Sequence, residues 1–293
     1  MFARDTTQAM FLSKAEATLK GLISPVGHHR LNRMIREGFP AGLLEPLKFL
    51  LTGNAGETER LTVEKIERIR SEISQKQREY AVVHSSGDSD RVSIVDRRLG
   101  WLVEVASITK YWGTFLHLCA NAIQADTILE LGSCVGISSC YLASAKSCKN
   151  FITIEGSNTL IPAIESNLRK ITNHFKIVNA LFDAGLDQIL PSLKSGIDLV
   201  FIDGDHTKAA TLRYFNRITP FLNCGSVVLF DDIHWSREMW ETWQMISESR
   251  GLVFTVNLGR IGFCIWNGQE EKPRNYSLSK FTIDWGKGKT SAE

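Results

Sequence analysis

The stretch Thr127-Ile-Leu-Glu-Leu-Gly-Ser-Cys-Val-Gly136 decides the fold. Ile128 to Leu131 is a short run rich in Ile and Leu, the composition of a buried strand. Gly132 to Gly136 interrupts it with a glycine turn, and Ile137 to Lys146 continues with helix-compatible composition. A strand that turns through glycine into a helix lets backbone approach a ligand closely and aims helix N–H groups at it. The pattern is not GxGxxG, so the dinucleotide fingerprint expected of a nicotinamide oxidoreductase is not met.

Working outward, Phe151 to Ile154, Lys176 to Val178, Leu199 to Ile202 and Ser226 to Phe230 are further short apolar runs separated by helix-compatible stretches. Runs apolar on both faces and alternating with helices mean a parallel sheet covered on both sides. Val253 to Val256 and Ile261 to Trp266 flank Leu258-Gly259-Arg260 and read as a hairpin. The predicted fold is therefore α/β, a Rossmann-like open seven-stranded sheet of five parallel strands plus a C-terminal β-hairpin, with helices on both faces. Residues 1–99 are predicted as a helical N-terminal extension, a lid or a dimer contact. They include an amphipathic helix over Thr62 to Tyr80 and a second over Ala41 to Leu51 with Pro46 near its first turn. Gly53 to Glu57 and Ser85 to Asp90 read as loops. The main domain spans 100–270, and 271–293 is a polar tail over the surface.

Composition narrows the function classes. The chain has 293 residues, 43% hydrophobic and 23% charged, which excludes a disordered or fibrous chain. Lys and Arg number 34 against 32 Asp and Glu, a net charge of +2 without a basic stripe, so no nucleic-acid partner is expected. No run approaches the ~20 apolar residues needed to span a bilayer, so no membrane partner is expected either. Met1 to Lys20 lacks a secretory apolar core and contains Asp5 and Glu16, which makes a cytoplasmic location the expectation. The six cysteines (Cys119, Cys134, Cys140, Cys148, Cys224 and Cys264) include no CxxC pair and read as reduced thiols used as small apolar residues.

Charged residues collect at the predicted strand ends. Glu155 ends the second strand, nineteen residues after Gly136, where an acid accepts hydrogen bonds from a ribose diol. The fourth strand ends in Phe201-Ile-Asp-Gly-Asp-His206 and the fifth in Phe230-Asp-Asp-Ile-His-Trp235. Ligands of open α/β sheets bind beyond the carboxyl ends of the strands, so Asp203, Asp205, His206, Asp231, Asp232 and His234 should share one rim. Four carboxylates that close repel one another unless a cation, a proton or a positive ligand compensates. Trp240 and Trp243 lie three apart on a predicted helix, Trp235 to Glu248, either in the core or walling an aromatic pocket.

ILELGSCVG, FITIEG, LVFIDGDHT and VVLFDDIHW, in this order, resemble the class I S-adenosylmethionine-dependent methyltransferases. The likeness runs from Arg98 to Asn267 and is strongest to small-molecule O-methyltransferases related to catechol and caffeoyl-CoA O-methyltransferases, and to sugar O-methyltransferases with a DGD motif. The resemblance implies S-adenosyl-L-methionine as cofactor. It places the methionine part against Glu130, Gly132, Ser133 and Gly136, with Asp203 beside it and the ribose on Glu155. It implies a Mg²⁺ ion on Asp203, Asp231 and Asp232. His206 stands where the catechol-type enzymes have a catalytic lysine, and Asp205 matches the acid proposed as base in the sugar enzymes. Val105 to Trp112 resembles the stretch that closes over the cofactor, which adds Ser107 and Thr109. Cys134 departs from the pattern at a loop position that is commonly Gly, and the residue that meets adenine falls near Leu181 to Asp183.

Methyl transfer needs two positioned reactants and a group that takes the acceptor's proton. A metal on the three acids would lower the pKa of a bound hydroxyl, whereas without one His206 or His234 would take the proton. The expected activity is methyl transfer to a small-molecule hydroxyl, in a chain that could form a homodimer. Alternatives are metal-free transfer to N or C, or a non-catalytic cofactor-binding protein of this fold.

Overall fold

The computed structural model describes residues 25–85, 92–193 and 195–282. It opens with α1 (25–36), α2 (Leu44–Thr52) and α3 (Glu57–Ser74). Pro46 sits in the first turn of α2, where its missing N–H costs nothing. The predicted Thr62-to-Tyr80 helix starts earlier and stops sooner. Glu57 and Glu59 favour the helix N-terminus electrostatically. At the other end, Tyr80-Ala-Val-Val83 is β-prone and joins a hairpin instead, β1 (Glu79–Ser85) against β2 (Val92–Arg98). Among the described residues the N-terminal extension is thus helical only up to this hairpin, and the predicted Ser85 to Asp90 loop lies, from residue 86 on, outside them. α4 (Leu99–Trp101) leads through a π-helical turn, Leu102–Ala106, into α5 (Lys110–Ala122).

The main sheet then alternates with helices: β3 (Thr127–Leu131), α6 (Ile137–Ala143), β4 (Asn150–Glu155), α7 (Ile161–Arg169), β5 (Phe175–Asn179), α8 (Phe182–Ile189), β6 (Ile197–Ile202), α9 (Lys208–Ile218), β7 (Leu222–Phe230) and α10 (Arg237–Ser247). β8 (Leu252–Asn257), β9 (Gly262–Trp266) and β10 (Arg274–Ser277) complete it. The strand order is β10-β8-β9-β7-β6-β3-β4-β5. β3 to β7 pair in parallel, and β9 is antiparallel to both β7 and β8, as the hairpin reading required.

The eighth strand corrects the seven-stranded expectation. β10 lies in the polar segment read as a tail, and it pairs parallel to β8. Polar residues suit it because it is an edge strand. Thr255 donates to Asn275 at 2.6 Å, and Tyr276 stacks on Phe254.

Two apolar layers cover the sheet. On one face α5, α6 and α7 bury Trp112, Phe115 and Tyr141, and the N-terminal helices extend the same layer through Leu31, Leu47, Ile66 and Ile69. On the other face α8, α9 and α10 contribute Leu186, Phe215, Trp243 and Ile246. Tyr141 Oη donates to Glu67 at 2.7 Å, and Arg70 Nη2 donates to the Ile108 carbonyl at 2.6 Å, which fastens α3 to the sheet's helices. All six cysteines are free, and four of them are buried. Among the described residues no helix is long and apolar enough to cross a membrane.

Candidate functional site

The chain runs β3-β4-β5 in one direction, then returns to place β6 on the other side of β3. A crevice opens at such a switch point, beyond the strands' carboxyl ends. The glycine loop borders it. Gly132 has φ +92°, and a Cβ there would lie 2.0 Å from the Asp203 carbonyl oxygen. Only glycine permits this approach between the loops after β3 and β6. Cys134 holds a left-handed conformation, φ +49°, that costs a non-glycine residue about 1 kcal/mol. Burial pushes its thiol up, so it is no thiolate nucleophile. Gly136, also left-handed, starts α6.

Three polar side chains line this loop. Glu130 is fully buried in β3, and its Oε2 accepts from Ser139 and Thr153. Burial pushes its carboxyl up to about 7, against the lowering effect of neighbouring hydroxyls. Glu130 Oε1 and Ser133 Oγ are both buried without a hydrogen-bond partner among the described residues. Glu155 accepts from the Cys134 N–H at 2.9 Å through Oε2 and from the Ser157 N–H at 2.8 Å through Oε1. The predicted ribose acid thus also anchors the glycine loop, and burial raises its pKa. The β1–β2 hairpin leans on the same corner, with the Val83 N–H on Ser157 Oγ at 2.9 Å and Thr159 Oγ1 on the Ala81 carbonyl at 2.6 Å.

The rim acids converge, and a residue from the hairpin turn joins them. Arg260 donates from Nε to Asp231 Oδ1 at 2.7 Å and from Nη2 to Asp231 Oδ2 at 2.6 Å, with Asp232 Oδ1 3.5 Å from Nε. Burial pushes Asp231 up, but the Arg260 charge and its hydrogen bonds outweigh it and hold the carboxyl below its ordinary value. Burial and the charges of Asp231 and Asp232 raise the Asp203 carboxyl well above its ordinary value. His206 Nε2 lies 3.5 Å from Asp203 Oδ1. Asp205, His206 and Asp232 all adopt positive φ, of +62°, +44° and +53°. Non-glycine residues in this region carry strain of order 1–3 kcal/mol each and gather at functional sites.

The Mg²⁺ centre expected on Asp203, Asp231 and Asp232 finds no support in this arrangement. Both Asp231 oxygens face a guanidinium, and among the described residues no group of three His, Cys, Asp or Glu side chains is arranged to hold a metal ion. The compensating charge that the acids need is a side chain of the same protein. Sequence reasoning missed Arg260, although the unbalanced rim charge pointed to a cation and Arg260 sits in the turn of the adjacent hairpin.

The remaining predicted residues are otherwise engaged. Asp205 Oδ2 accepts from Tyr214 Oη in a short hydrogen bond. His234 is exposed and stacks on Trp240, ring centroids 4.4 Å apart, while Trp243 is buried against Phe230 and the Gly262 backbone. Of the two tryptophans, Trp243 is core and walls no pocket. Thr109 caps α5 by accepting from the Trp112 N–H, and Ser107 Oγ donates to the Leu102 carbonyl at 3.1 Å.

Residues 129–233 match the family model described as a methyltransferase domain. A protein of Acanthamoeba polyphaga mimivirus, named uncharacterized protein R132, is 33% identical over 127 residues, 40% of this chain and 57% of that one. A catechol O-methyltransferase of Mycobacterium tuberculosis is 30% identical over 131 residues, 43% of this chain and 57% of that one. The chain thus spans a little over half the length of these curated relatives. The O-methyltransferase from Bacillus cereus, solved in complex with SAH, superposes with a TM-score of 0.49 at 16% identity over 71% of this chain and 91% of that one. Residues 129–233 thus resemble a methyltransferase domain, and the sheet order and the glycine loop after β3 are of the kind such a domain needs.

Proposed function

We propose that this chain transfers the methyl group of S-adenosyl-L-methionine to a hydroxyl oxygen of a small-molecule acceptor. The observation that carries the reading is the pair of buried, unpartnered atoms at the glycine loop, Glu130 Oε1 and Ser133 Oγ. Each costs about 1–3 kcal/mol unless something pairs with it. A ligand with an ammonium and a carboxylate fits that need, since Glu130 Oε1 accepts and Ser133 Oγ donates. The two Glu155 oxygens each use one lone pair on backbone N–H groups and keep another for ribose hydroxyls. When bound, this cofactor supplies an electrophilic methyl and its own leaving group.

The chain's own residues then orient the acceptor and move its proton. His206, beside Asp203 on the rim, is the group that takes the hydroxyl proton. Asp205 orients the same loop through Tyr214. An oxygen acceptor is favoured by the likeness to catechol O-methyltransferases.

Calorimetric titration with S-adenosylhomocysteine tests the cofactor. Glu155→Ala should weaken binding by about 1.5–3 kcal/mol, the range for hydrogen bonds to a charged group. A folded wild-type chain that binds neither form of the cofactor would end the reading. His206→Ala, assayed with a panel of catechols and phenols, should lose turnover while S-adenosylhomocysteine still binds.

A further inference from the structure

We propose that the Arg260 guanidinium is the resident cation of the rim, standing among Asp203, Asp231 and Asp232 where a divalent ion would otherwise sit. The hairpin turn is built to deliver it. Leu258 N–H bonds the Ile261 carbonyl at 3.0 Å, and Gly259 between them has φ +90°, as the first central position of a type II′ turn favours. Gly259 N–H is further held by Asn257 Oδ1 at 2.8 Å. The Ile233 N–H, next to the acid pair, donates to the Arg260 carbonyl at 3.0 Å. Backbone and side chain of Arg260 are therefore both tied to the loop after β7.

The side chain itself is 15% exposed and the Asp231 side chain 1%, so the pair is withdrawn from solvent. A bidentate guanidinium–carboxylate pair is fixed in geometry as well as charge. It faces both Asp231 oxygens, so a second cation approaching that carboxylate meets the charge of the guanidinium. Arg260 is thus a positioning residue for the acid cluster and a fixed positive charge at the rim. Metal-free transfer rests on the methyltransferase reading above, but the exchange of guanidinium for metal does not.

Manganese binding, followed by electron paramagnetic resonance of free Mn²⁺, tests the exchange on the full chain. Wild type and Arg260→Lys should hold no stoichiometric Mn²⁺. Arg260→Ala should take up one equivalent at least about tenfold more tightly than wild type, roughly 1.4 kcal/mol. Adding Asp231→Asn should abolish that gain. One equivalent of Mn²⁺ on wild type that is lost in Asp231→Asn overturns the proposal, as does a folded Arg260→Ala chain that binds no more than wild type. Should Arg260→Ala fail to fold, the wild-type and Arg260→Lys titrations decide alone. Wild type stripped by a chelator should keep full methyl transfer, and transfer restored only by Mg²⁺ counts against the proposal. Failure of the stripped chain to bind S-adenosylhomocysteine would defeat the methyltransferase reading and leave the manganese result standing.

Discussion

Replacing Glu130 with Gln removes a titration that the fold makes costly. The carboxyl is fully buried, and burial moves it from an ordinary 4.5 to about 7. Between those values the folded chain holds a proton that the unfolded chain has released. The unfolded state then binds fewer protons, so stability falls as pH rises through this window and is flat outside it. The shift, 7 less 4.5, at about 1.36 kcal/mol per unit, amounts to roughly 3 kcal/mol. The amide that replaces the carboxyl has no such proton to lose, yet it keeps an acceptor for Ser139 and Thr153. Urea unfolding of wild type and Glu130→Gln in the absence of ligand, from pH 5 to pH 8, isolates the effect, because every other group titrates alike in both. The variant should gain about 2 kcal/mol or more on wild type across that range. Parallel stability curves would refute the reasoning, since they would mean that Glu130 titrates the same way folded and unfolded.

Two further predictions concern packing. Gly132→Ala places a methyl 2.0 Å from the Asp203 carbonyl at a φ of +92°, so thermal unfolding should show a loss above about 3 kcal/mol, together with loss of S-adenosylhomocysteine binding. Tyr141→Phe removes the hydroxyl that reaches Glu67 from α6, and chemical unfolding should report a loss of about 1–3 kcal/mol, because Glu67 loses a donor at a partly buried site. An unchanged midpoint in either variant would count against the contact described.

Much of the architecture is legible in the chain because strands and glycine turns are local. Leu199 to Ile202 is apolar on both faces wherever it sits in a sheet, Ile128 to Leu131 is so apart from Glu130, and Gly132 marks a turn before any neighbour is known. The β1–β2 hairpin is harder to read, because the helical spacing of α3 runs on as far as Tyr80 and the partner strand begins only beyond a loop. β10 was hidden for the opposite reason, since an edge strand need not be apolar and Arg274 to Ser277 pairs only where β8 already stands.

The site divides the same way. Glu130, Ser133, Glu155 and the rim acids announce themselves by position at strand ends, because the carboxyl edge of a parallel sheet is where side chains can face a ligand. How their charge is balanced depends on distance in space. Asp231 and Arg260 are 29 residues apart in sequence, and only the pairing of β9 with β7 brings the hairpin turn over the rim. The acids alone called for a cation, a proton or a positive ligand, and the tertiary structure sets a guanidinium against Asp231, because the hairpin carries Arg260 to both of its oxygens.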